Sequence, residues 1–319
     1  MSFKGPLPDQ WDDARASGLS EPERLRYRSN LLGSDLRITN YGGGNTSAKV
    51  KAKDPLTGKE VGVLWVKGSG GDLGSITMEG FATLYLDKLE SLKSIYRGRE
   101  HEDEMADYFA HCAFNLNPRA TSIDTPPHCF IPAKHVDHMH ADAVIAIAAA
   151  KDGERLTREI WGGELGWVGW QRPGFDLGLK VGALARENPK LKGVVLGGHG
   201  VFTWADDAGG CYRTTIRVIN EADAYLRGKS RPQPFGKPVV APLADEARGA
   251  ILAEVAPALR GKLSKQLRKV MHVIDSAEVL EFVGSAHAEE LAARGTTCPD
   301  HFLRTKIWPL FVPFDPSKE

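Results

Sequence analysis

His135, His138 and His140 fall within six residues, at the head of the stretch AKHVDHMHADAVIAIAAA, and the chain then turns abruptly apolar. If residues 136–140 are extended, side chains two apart share a face, so His138 and His140 project side by side while His135 and Met139 point elsewhere. Two imidazoles a strand pitch apart can grip one ion, and a divalent metal of the zinc class takes nitrogen or oxygen ligands at roughly 2.0–2.2 Å, with one position left open in catalytic sites. An H-x-H pair alone fits packing histidines equally well. A third ligand must come from distant, rigid backbone. His199 in LGGHGVFTW sits in a glycine-flanked turn between two apolar strands, where missing side chains would allow close approach; it also reads as a hairpin-turn histidine in solvent. Asp124 in TSIDTPPH is the carboxylate to consider, and by itself it is equally a turn or cap residue.

Two glycine-rich loops accompany these residues. In GSGGDLG the third glycine stands one position late for a dinucleotide fingerprint, and no acidic residue follows at ribose spacing after a βα turn, so a nicotinamide fold is disfavoured. Such loops, here GGGNTSAK and GSGG, can aim successive backbone N–H groups at one anion, or can be plain surface turns. No lysine falls in an obviously apolar stretch that would lower its pKa, so a covalent imine route has little support.

The elements that must position these residues follow from pattern. EPERLRYRSNLLG, with Pro in its first turn and Gly at its end, predicts an amphipathic helix over 21–33. RITNYGGGNTSAKV reads as a strand broken by glycines, and EVGVLWVKGSGG as a buried strand running into a loop. The spacing of Phe81, Leu84, Leu86, Leu89 and Leu92 predicts a helix from Thr77 to Ile95. DEMADYFAHCAFNLNP, the stretch from about Asp142, and DLGLKVGALARENP also read as helices. LKGVVLGGHGVFTW reads as strand, tight glycine turn, strand. Helical segments follow over about 205–228, 244–262 and 276–294, with the proline-rich GKSRPQPFGKPVVAPLAD as a linker between them. The predicted organisation is an α/β domain over 1–228, a linker over 229–243 and a helical C-terminal extension over 244–319 packing on the same body.

Composition narrows the function classes. Lys+Arg and Asp+Glu both number 41, so the formal net charge is zero and no basic block marks a nucleic-acid or membrane surface. A small-molecule partner is expected. The start carries acidic residues where a signal peptide needs basic and then apolar ones, and the run Ala143–Ala150 is too short to span a bilayer. A cytoplasmic protein is expected. Cysteines 112, 129, 211 and 298 form no C-x-x-C pair and read as reduced thiols.

Taken in order, GGGNTSAKV, VKGSGGDLGSIT, SIDTPPH, HVDHMHADAVIA and GGHGVFTW resemble the class II aldolase/adducin family of metal-dependent sugar-phosphate aldolases and epimerases, from roughly Tyr41 to Leu226. KGSGGDLGSIT, FIPAKHVDHMHADAVIAI and the tail TTCPDHFLRTK are most similar to the rhamnulose-1-phosphate aldolase domain that often precedes a short-chain dehydrogenase. The resemblance implies a three-layer α/β/α sandwich with a mostly antiparallel central sheet. It implies a divalent metal, Zn2+, held by His138, His140 and His199, with Asp124 as the acid beside it and His135 outside the ligand set. It places the substrate phosphate at Asn45, Ser69, Gly70 and Ser122, with Lys49 near enough in sequence to add a charge. A second proton donor would come from a neighbouring subunit or the C-terminal segment, for which His301 and Tyr225 are candidates, and a homo-oligomer is expected. The implied activity is cleavage of a ketose 1-phosphate to dihydroxyacetone phosphate and a short aldehyde such as lactaldehyde. Most aldolases of the family have Glu where this chain has Asp124, and SIDTPPH is closer there to the ribulose-5-phosphate 4-epimerases, which makes epimerisation the alternative. A non-catalytic adducin-like scaffold is the third reading.

Overall fold

Seven strands pair into one sheet: β1 (Asn45–Lys53), β2 (Glu60–Lys67), β3 (Phe81–Tyr85), β4 (His135–Met139), β5 (Leu165–Val168), β6 (Gly193–Leu196) and β7 (Gly200–Ala205). The computed structural model describes residues 5–40, 42–116, 119–300 and 306–313. Strand order is β3-β2-β1-β4-β7-β6-β5. Every pairing is antiparallel except β5 with β6. Strand β4 is therefore central, between β1 and β7, and its side chains alternate between two buried layers.

On one side lie the helices Glu21–Gly33, Asp142–Ala148 and Ala208–Lys229. Met139 and Val201 pack there with Tyr212 and Ile216. On the other side the helix Phe175–Glu187 brings Leu177 and Val181 against Val136, Val194 and Phe202. Burying each such large apolar side chain contributes roughly 1.5–3 kcal/mol, so both layers hold the sheet and the sandwich is a three-layer α/β/α body. The helix Glu21–Gly33 begins where its sequence says it should: Glu23 accepts from the Ser20 backbone N–H at 2.9 Å, and Pro22 occupies the first turn, where no N–H is needed.

Three readings of the sequence change. The stretch expected to be helical from Thr77 to Ile95 instead starts with β3, whose Phe81–Tyr85 pair with Tyr85↔Val63 through Phe81↔Lys67; helix begins only at Leu86. The three-residue spacing of Phe81 and Leu84 mimics a helix, but the aromatic and β-branched content of FATLY and an open edge on β2 favour the strand. TPPHCF, not among the expected elements, is a helix over Thr125–Phe130 with its prolines in the first turn. LGWV, hidden in a tryptophan and glycine-rich stretch, is β5.

The described residues form two compact units: residues 6–229 with 297–300, and residues 230–296 with 306–313. The second contains the helices Asp245–Leu263, Ala277–Val283 and Ala288–Ala293. Within it Phe235 meets Phe282 edge-on at 5.2 Å. All four cysteines are buried thiols. Among the described residues no helix is long and apolar enough to cross a membrane.

Candidate metal centre

Strand β4 delivers His138 near its end and His140 just past it, and the three-residue β6–β7 turn delivers His199. Gly198 in that turn has φ +63°, and a Cβ on Gly200 would lie 2.5 Å from the Met139 carbonyl oxygen, so glycine is required for the turn to sit this close to β4. The three imidazoles converge. Nε2 of His138 lies 2.9 Å from Nε2 of His140 and 3.1 Å from Nε2 of His199. Phe202 stacks on the His138 ring at 4.2 Å and fixes its plane.

The other ring nitrogens decide the protonation. The His138 Nδ1–H donates to the Val201 carbonyl at 3.1 Å, and the His140 Nδ1–H donates to Asp300 at 2.7 Å. Both Nε2 atoms are then lone pairs, facing each other at a distance that needs a shared cation. Burial, with His140 beside it, pushes His138 down to about 4, and burial drives His199 well below the ordinary histidine range. His138 and His199 are therefore neutral at neutral pH. His199 Nδ1 is buried without a hydrogen-bond partner, and so is Asp124 Oδ1. Three convergent imidazole nitrogens are a donor set for a zinc-class ion, and the residues present fit one.

A cavity of about 780 Å³ opens from His140 and His199 past Asp124 and Ser122 to the loop Gly68–Gly70. Ser69 and Gly70 line it, Gly70 with φ +66°. Two cations that the sequence reading passed over stand at this loop. Lys67, 3% exposed, donates to the Gly70 carbonyl at 3.3 Å, and Arg119 packs so closely that a Cβ on Gly71 would sit 2.8 Å from its Nη2. Lys49, expected to add charge, does not line this cavity: its Nζ donates to the carbonyls of Ile131 and Ala133, and burial pushes it down to about 8. It shares a face of β1 with Asn45 but stands four residues further along the strand.

Asn45 is buried, its amide donating to Asp124 Oδ2 at 3.0 Å and reaching Ser122 Oγ at 3.3 Å. His135 faces the opposite layer, where its Nδ1 accepts from Arg28 at 2.8 Å. Tyr225, a candidate proton donor, binds Glu159 through its hydroxyl at 2.9 Å and lies outside the cavity lining. His301 lies outside the described residues. Asp300 and His128 were missed. The tail CPDHF drew attention to its histidine, and the only signal for Asp300 was that same motif.

The comparisons with known proteins give the family. Residues 24–226 match the class II aldolase and adducin N-terminal domain, and residues 250–319 match the aldolase class II second domain. The chain belongs to the class II aldolase and adducin family. It is 39% identical over 311 residues to a protein of Bacillus subtilis (strain 168) named uncharacterized oxidoreductase YuxG, a match covering 97% of this chain and 45% of that one. The chain thus spans less than half the length of that relative. The N-terminal class II aldolase domain of a conserved protein from Thermoplasma acidophilum superposes with a TM-score of 0.61 at 30% identity, over 69% of this chain and 100% of that one.

Proposed function

We propose that the chain is a zinc-dependent aldolase cleaving a ketose 1-phosphate of the rhamnulose-1-phosphate type to dihydroxyacetone phosphate and a short aldehyde such as lactaldehyde. The observation that carries this reading is one cavity lined by His140 and His199, whose ring nitrogens converge with that of His138 behind them, and by a cation-flanked glycine loop. His138, His140 and His199 would hold the ion. When bound, Zn2+ supplies a Lewis acid where a substrate oxygen gains charge as the carbon–carbon bond breaks.

The protein's own groups do the rest. The Ser69 N–H is taken by the Ala120 carbonyl, so the Ser69 hydroxyl and the Gly70 N–H, with Lys67 and Arg119 beside them, bind and orient a phosphate dianion. Ser122 extends that wall toward Asp124. With Asp124 Oδ2 held by Asn45, Oδ1 is the oxygen left to take the substrate hydroxyl proton and return it. A second donor, in this reading, comes from a neighbouring copy of the chain or the C-terminal segment. The name of the Bacillus subtilis relative concerns a protein more than twice the length of the stretch matched, and aldol chemistry is assigned here only to the part this chain covers.

Epimerisation of a ribulose 5-phosphate type substrate is the second reading, favoured by the short Asp124 side chain in place of Glu. The test is to incubate the zinc-loaded protein separately with rhamnulose 1-phosphate and ribulose 5-phosphate. Dihydroxyacetone phosphate from the first substrate is expected. A xylulose 5-phosphate product from the second, with none from the first, would overturn the aldolase in favour of the epimerase. Inertness toward both, with no metal bound, would point to an adducin-like scaffold.

A further inference from the structure

His128 is fully buried and lies outside the lining of the site cavity, yet it touches the site through one residue. It stands on the helix Thr125–Phe130, between two side chains that share a face of β1. One ring nitrogen, Nε2, is 2.6 Å from Asn45 Oδ1, and the other, Nδ1, is 2.7 Å from Ser47 Oγ. The ring edge meets Phe202 at 5.4 Å, the same phenyl that stacks on His138.

The protonation of this chain of groups follows from a single charge. An amide can face the Asp124 carboxylate only with its NH2 end, since its oxygen would be repelled there. Asn45 must therefore turn Oδ1 toward His128. An acceptor at that position requires a proton on His128 Nε2, which leaves Nδ1 as an acceptor for the Ser47 hydroxyl. Every donor and acceptor in the row is matched, and the alternative tautomer breaks the row at Asp124.

We infer that His128 is a positioning residue: its Nε2–H locks the Asn45 amide with the NH2 group toward Asp124, which fixes one carboxylate oxygen and leaves the other without a hydrogen-bond partner. Without that donor, Asn45 is free to rotate and the carboxylate loses the hydrogen bond that aims it. The inference rests on the role given to Asp124 above.

The test compares full-length His128→Leu, His128→Gln, Asn45→Ala and the His128→Leu/Asn45→Ala double variant. Kinetics on the cleaved ketose 1-phosphate and zinc content are measured for each, and 15N NMR reads the His128 ring in the unaltered chain. The ring carries its proton on Nε2. His128→Leu lowers kcat by about 10- to 100-fold, the loss of one hydrogen bond to a charged group, with zinc content unchanged and KM within about twofold. Gln, which keeps a donor at the Nε2 position, recovers most of that loss. The double variant is no slower than Asn45→Ala, because His128 acts through Asn45. A proton on Nδ1, losses that multiply in the double variant, or a Gln variant as slow as Leu would overturn the inference. If the unaltered chain cleaves no ketose phosphate, the functional reading fails, while the ring's tautomer still decides this inference.

Discussion

His135 and His138 stand three residues apart on β4 at 1% and 0% exposure, yet one is bound into a network of complementary groups and the other meets two more imidazoles. His135 and Asp137 face the layer of the helix Glu21–Gly33. There Arg28 donates to Asp137 at 2.9 Å, to His135 Nδ1 at 2.8 Å and to the Ser47 carbonyl at 2.7 Å, while Cys211 and Thr215 reach the second Asp137 oxygen. Every group has a complement inside the chain. On the other face, His138 meets His140 and His199 nitrogen to nitrogen, and His199 Nδ1 and Asp124 Oδ1 stay unmatched. Burial is therefore a poor guide to function by itself. What separates a structural histidine from a ligand is whether the protein supplies the partner.

Breaking the sealed face should have the largest effect. Arg28→Met leaves Asp137 a buried, uncompensated charge, so a loss of about 3–5 kcal/mol of stability is expected, read from urea unfolding midpoints. A loss under about 1 kcal/mol would mean that the network is not holding β4.

A smaller effect sharpens the same contrast through pH. Burial, with the Arg28 charge next to it, pushes His135 down to about 2, and burial drives His128 well below the usual range. Above about pH 6.5 both folded and unfolded forms are neutral, and these rings add no pH dependence. As pH falls below that value the unfolded chain takes up protons that the folded rings refuse, so stability drops by about 1.4 kcal/mol per pH unit for each ring. Unfolding midpoints of zinc-free protein at pH 7.5 and 5.5, about one unit on each side of that value, should show this loss. Constant or rising stability toward acid would contradict the neutral, buried assignment.

How much of this was legible differs from residue to residue. The i, i+2 spacing placed His138 and His140 on one side of extended chain, and the flanking glycines of His199 marked a tight turn, because both signals are local. The meeting of these segments could be read only through family resemblance, since pairing of β4 with β7 joins residues about sixty positions apart. Lys67 escaped notice because a lysine at a strand end looks solvent-bound, and only the fold of β3 and the loop above it buries it. His128 was masked by the Pro-Pro pair before it, which suggests loop until the prolines are seen in a helix's first turn. Asp300 contacts His140 from 160 residues away, beyond any periodicity.

The central claim is that three imidazoles share one ion, and the direct measurement is zinc analysis with anomalous diffraction at the zinc edge, on the unaltered chain and on His199→Ala. The account predicts one ion per chain, with Nε2 of His138, His140 and His199 at roughly 2.0–2.2 Å, and a site largely emptied by the substitution. An ion absent from that position, or bound as fully after His199 is removed, would contradict it.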